Sequence, residues 1–166
     1  MIYEQPGVDE SVTQGDILDD CPLLLWEAES HPGAEAMAAT IRTRVVVLTQ
    51  SCDMAWGKAT RVLVAVVHAA RYLVERGVVT AKTVRDQIRT HRVYGWYFLP
   101  DGLAVEESIV DLRNLHTIPK VMLEQLARDG KRVCRIATPY REHLAQHFST
   151  TYSRIGLPEP YPSQPA

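Results

Sequence analysis

At 166 residues, 46% hydrophobic and 23% charged, the chain has the make-up of one globular domain with a sizeable core. A formal net charge of −2 excludes a protein drawn as a whole to nucleic acid or to an acidic membrane, so either contact needs a local basic face. Three widely spaced cysteines do not make a disulfide framework, and residues 1–6 carry neither a basic nor an apolar signal region. Together with the lack of any long apolar stretch, this predicts a cytoplasmic protein that does not enter a membrane.

In chain order, residues 1–12 read as an irregular lead-in. Gln14, Gly15 and Asp16 turn into a short strand at Ile17 and Leu18. Asp19, Asp20, Cys21 and Pro22 break that strand, and residues 23–26 resume it. Residues 27–40, with Ser30, Pro32 and Gly33 and no clean period, predict a mobile loop with a helical turn. Residues 41–49 and 60–69 are predicted as central strands, because the continuously apolar, β-branched runs 45–48 and 62–67 within them suit burial on both faces. The first of them ends abruptly in Thr49-Gln50-Ser51-Cys52-Asp53, polar groups carried on a rigid edge.

Residues 78–91 have helical spacing, with Thr83 and Asp86 at capping-box distance and Val84 above Ile88. Residues 94–99 are aromatic and strand-like. Trp96, Tyr97 and Phe98 must alternate faces, so at least one turns from the core toward a ligand, a partner or a covering segment. Pro100-Asp101-Gly102 turns the chain back into a strand over 103–115. Thr117 is placed to cap a helix entering at Pro119, striped by Leu123 and Leu126 and ended by Gly130. After a short strand at 131–136, Thr138-Pro139 opens the clearest helix, with Leu144, Phe148 and Tyr152 on one face. One domain over 1–156 and a proline-rich tail over 157–166 follow.

Five or six short strands with helices gathered late describe an α+β fold, drawn as a small, mostly antiparallel barrel with an inserted helix and C-terminal helices. Gly15-Asp16-Ile17-Leu18, Val46-Val47-Leu48-Thr49, the run 62–67 and the run 109–116 resemble the strand sequence of the MazF/PemK toxin family. That resemblance implies an SH3-like barrel, a homodimer and cleavage of single-stranded RNA within a bacterial toxin–antitoxin pair. The chain departs from the pattern at Thr43-Arg44, where the family has Arg-Pro, and at His68 or Ala69, where it has Thr or Ser. Its Ser-Cys-Asp strand end and Pro-Tyr-Arg-Glu-His helix resemble small bacterial proteins outside the toxin pattern.

Three functions follow. The first is binding of single-stranded RNA through Arg128, Lys131, Arg132, Arg135, Tyr140 and Arg141, basic groups with an aromatic among them, with cleavage drawing on Arg44 and His68. The second is a non-catalytic interaction module of a multi-component bacterial system, its C-terminal helix docking on the protein itself or on a second copy and its tail meeting a partner. The third is a cysteine enzyme. Cys52 would be the nucleophile, Arg44, His68 or His116 its activator, and Asp53 or Asp111 the group that orients the histidine. No cofactor is implied. Cys21, Cys52, Asp53, His68 and His116 lack the closely spaced pair usual in zinc sites, and His143 with His147 is the sole such spacing.

Overall fold

The computed structural model describes residues 1–27 and 37–153. Seven strands form one sheet, in every pair antiparallel: β1 (Tyr3–Glu4), β2 (Asp16–Glu27), β3 (Met37–Val47), β4 (Arg61–Ala69), β5 (Trp96–Leu99), β6 (Ser108–Pro119) and β7 (Arg132–Ile136). Their spatial order is β1-β7-β2-β3-β4-β6-β5. Among the described residues five α-helices accompany them: α1 (Ser51–Met54), α2 (Ala70–Glu75), α3 (Ala81–Thr83), α4 (Lys120–Arg128) and α5 (Tyr140–Ser153). The fold is therefore α+β. No ladder joins β1 to β5 among the described residues, so the sheet is open rather than a closed barrel. Its two ends nevertheless approach, because the Tyr3 hydroxyl donates to the Pro100 carbonyl just past β5, at 2.7 Å.

The continuous apolar runs of β3 and β4 are explained by two cores, one on each face of the sheet. Val46, Ala65 and Val67 point to the side that holds Tyr97, Val110 and, from α5, Leu144. Val45, Val47, Val62, Val64 and Val66 point to the other, closed by Leu123 and Leu126 of α4. Full burial of a leucine such as Leu123 contributes about 1.5–3 kcal/mol. A third cluster packs Leu73 of α2 and Val84 and Ile88 against Trp96, Phe98 and Ile109. Thus Tyr97 faces one core while Trp96 and Phe98 face the covering segment 70–88.

Several local expectations need correction. The lead-in contains β1, and its Val12 is buried. The apparent break at residues 19–22 is a bulge inside one long β2, with Asp20 at φ 55° and the register shifted between Leu18 and Cys21. Long-range partners hold it: Asp19 N donates to the Lys131 carbonyl at 2.8 Å. Strand, not loop, occupies the described parts of 27–40, where Glu27 pairs with Met37, and residues 28–36 and the tail 157–166 lie outside the described residues. The 78–91 helix is capped by Thr80, which accepts from Thr83 N at 3.0 Å, and passes into a π-turn at Val84–Ile88. β6 begins at Ser108 rather than 103, and Thr117 lies within it rather than capping α4.

Gly15 shows why the turn before β2 takes glycine. Its φ is +85°, and a Cβ there would meet the Ile136 carbonyl oxygen at 3.1 Å.

Candidate functional site

The Ser-Cys-Asp strand end folds into α1, beside the start of β4: Leu63 N donates to Thr49 Oγ1 at 2.7 Å, and Ser51 bonds Thr13 through their hydroxyls at 2.7 Å. Cys52 is exposed. Its sulfur meets Gln50 Oε1 at 3.6 Å and Asp53 Oδ1 at 3.9 Å, both acceptors that give a thiolate no stabilisation. His68 stands five residues beyond Leu63, roughly 16 Å along β4 at about 3.3 Å per residue. Burial lowers its pKa, against the opposing pull of Asp111. His116 pairs with Val64 in the ladder, and its Nε2 is engaged by Asn114 Oδ1 at 2.8 Å. Arg44 makes a bidentate pair with Asp19 at 2.6 and 2.9 Å. Cys52 and Asp53 therefore stand together, while Arg44, His68 and His116 each have partners elsewhere, and neither side-chain partner of Cys52 is a histidine.

This arrangement makes a prediction about thiols. Cys21 and Cys134 are buried, with burial pushing the first up to about 11 and the second to about 12. Iodoacetamide should label native protein once, at Cys52, and reach the other two only after denaturation. Native labelling of two or three sulfurs, read by mass spectrometry, would contradict the packing.

The late basic residues are largely committed within the fold. Arg132, its side chain 5% exposed, and Arg135 both pair with the fully buried Asp16. Lys131 pairs with Asp20, Arg128 donates to Gln125, and Arg141 binds Glu142 and Thr138. Tyr140 is exposed, and its carbonyl accepts from the Tyr97 hydroxyl at 3.4 Å.

A different constellation forms where β5, the π-turn exit and α5 meet. Tyr97 projects from β5 so that its Oη lies 3.0 Å from His143 Nδ1. The His91 ring, its backbone at φ 55°, lies tilted 4.6 Å from Tyr97 and edge-on 4.7 Å from His143, with His147 5.8 Å away. A cavity of about 520 Å³ opens over this group, walled by Ile2, Phe98, Pro100 and Pro139 and rimmed by Arg89, Tyr140 and the exposed His143. Burial, aided by the neighbouring imidazoles, lowers His91 to about 4 and keeps it neutral near pH 7. Burial likewise lifts Tyr97 to about 12, so its phenol stays protonated; with that O–H donated to the Tyr140 carbonyl, its oxygen can accept from His143 Nδ1–H, which leaves His143 Nε2 as the nitrogen with a free lone pair. Flat apolar walls with an imidazole, a phenol and a guanidinium at the rim suit a planar ring carrying a negative group. Among the described residues no group of three His, Cys, Asp or Glu is placed to hold a metal ion.

No family model and no curated protein matches the chain. Nor is any helix among the described residues long and apolar enough to cross a membrane.

Sequence reasoning passed over this cavity because His143 lies 46 residues beyond Tyr97 and no local spacing links it to Tyr97 or His91. One signal beside it was legible. Residues 71–92 carry six arginines and lysines against two acidic residues, a net +4 in a chain of net −2. Arg71, Arg76, Lys82, Arg85, Arg89 and Arg92 are all exposed on the segment that covers β5. Arg71 and Arg85 are ion-paired to Glu106 and Asp86, but at 75% and 66% side-chain exposure such pairs are loose and exchangeable.

Proposed function

We propose that the chain binds single-stranded RNA, taking one unstacked base into the Tyr97–His143 cavity while the basic segment 71–92 holds the adjoining phosphates. The observation that carries this is Arg89, which belongs to the exposed basic segment and also rims the aromatic cavity. A strand laid over Arg89 would meet charge on one side and ring-stacking surface on the other, the usual pairing for single-strand binding. Base recognition is thereby moved from the late basic cluster, whose arginines are occupied in the fold, to the 71–92 segment.

The narrower form of the proposal is a divergent MazF/PemK-like ribonuclease acting as a homodimer in a bacterial cytoplasm. A curled antiparallel sheet whose ends nearly meet at Tyr3 and Pro100 supports it. In that form His143 removes the 2′-hydroxyl proton, and metal-free cleavage leaves a 2′,3′-cyclic end. Mixed-sequence oligoribonucleotide in EDTA tests both forms by fluorescence anisotropy and by product analysis. Binding should weaken with salt, and Arg85→Ala with Arg89→Ala should lower the slope of log affinity against log salt by about 1 each. His143→Ala should abolish any cleavage. Absence of a salt-dependent anisotropy change at low ionic strength would reject RNA binding altogether.

A further inference from the structure

A second cavity, of about 640 Å³, lies on a different part of the surface, where the β2 bulge ends its ladder with β7. Its charged lining is Arg42, Arg44, Lys131 and Arg132 against Asp19 and Asp20. We propose that this cavity binds a phosphate-type oxyanion. The inference is independent of the base-binding cavity.

Donor accounting favours an anion. A guanidinium offers five N–H donors and an ammonium three. Arg44 directs Nε and one Nη to Asp19. Arg42 directs a single Nη1 bond, at 3.1 Å, to the Asp20 carbonyl, and Lys131 a single bond, at 2.5 Å, to the Asp20 carboxylate. Arg132, by contrast, is occupied by Asp16 and by the carbonyls of Gly7, Glu10 and Ser11. Arg42, Arg44 and Lys131 therefore keep donors to spare around one opening.

Asp20, and more weakly Asp19, hold Lys131 protonated, so it is a cation there, while the charge of Arg42 opposes it. Asp19 is paired with Arg44, so three cations, Arg42, Arg44 and Lys131, share two carboxylates, and an added anion balances the remaining charge. Several oxygens fanned around one centre match three converging cations better than a single carboxylate does. The ligand chemistry is a phosphate, supplied either by a free phosphorylated molecule or by a nucleic-acid backbone.

Sodium pyrophosphate is the probe, titrated against the full chain by calorimetry and thermal shift at constant ionic strength set with sodium chloride. Saturable binding is expected, weakened at least about tenfold by Arg42→Ala and by Lys131→Ala, since charge-assisted hydrogen bonds are of that strength. Arg128→Ala, outside the cavity, should bind as the parent does. Competition by an oligoribonucleotide would assign the site to backbone phosphates, and undisturbed pyrophosphate binding to a free phosphorylated molecule; either outcome upholds it. No saturable heat, a shift that sodium chloride reproduces, or equal binding by Arg42→Ala and Lys131→Ala would overturn it. Both variants alter partly or fully exposed side chains, so folding is expected to survive and is checked by circular dichroism.

Discussion

Asp16→Ala is expected to destabilise the protein by about 3–5 kcal/mol, the range for breaking a buried ion pair from one side. The Asp16 carboxylate is fully buried and accepts from Arg135 Nε at 2.5 Å, Arg135 Nη2 at 3.3 Å, Arg132 Nη1 at 3.1 Å and Thr13 N at 3.1 Å. Removing it leaves two guanidinium groups, 5% and 10% exposed, with like charges and no shared counter-ion. It also unpins the lead-in, because the same arginines hold the carbonyls of Gly7, Glu10 and Ser11. Asp16→Asn keeps the shape but loses the charge, and should fall between parent and alanine variant. Urea denaturation of the three proteins reads this directly. A loss below about 1 kcal/mol for Asp16→Ala would mean that Glu10, 3.0 Å from Arg135, suffices as counter-ion.

Acidification is expected to weaken the fold through His91. The folded-state pKa is lowered to about 4, from an unfolded value near 6.5. The unfolded chain therefore binds the proton first as pH falls. The full contribution is present above about pH 6.5, is lost progressively between 6.5 and 4, and changes no further below. The shift corresponds to an upper bound of about 3 kcal/mol, and partial solvent access reduces it to about 2. His143, His147 and Tyr97 face His91, with Arg89 on the cavity rim, and no carboxylate is among these neighbours to reward protonation. Burial lowers His147 as well, in spite of the Val93 and Trp96 carbonyls that favour its charged form, so it adds in the same direction. His91→Asn is the informative variant, because asparagine tolerates the positive φ that His91 adopts. It should flatten stability against pH between 6.5 and 4. An unchanged pH profile would remove His91 from the account.

Much of the architecture was legible because it rests on local apolar pattern. The continuous runs at β3 and β4 announced burial on both faces, and the leucine and glycine signals located α4 and its end. Residues 19–22 misled for a physical reason. A bulge spoils the local period, while the groups that stabilise it come from elsewhere in the chain, Arg44 from β3 and Lys131 from the turn before β7. Basic residues near the C-terminal end suggested an RNA face, but one-dimensional charge does not reveal that Asp16 consumes two of them. The histidine–tyrosine cavity was the least readable part. Its members become neighbours only when α5 lies along β5, where Gly95 N donates to Thr151 Oγ1 at 3.4 Å.

The two-sided sheet has a consequence for how this chain tolerates change. Val46 and Val47 are joined by one peptide bond, yet one answers to Leu144 and the other to Leu123. Effects of substitutions on opposite sides should largely add, whereas those sharing a side should couple, as contacting residues do. A lineage could thus rework the α4 side, and the surface above it, without compensating substitutions beneath α5. Adjacent letters of one strand would then keep separate histories, and the side that carries the aromatic cavity could stay constant while the other drifts.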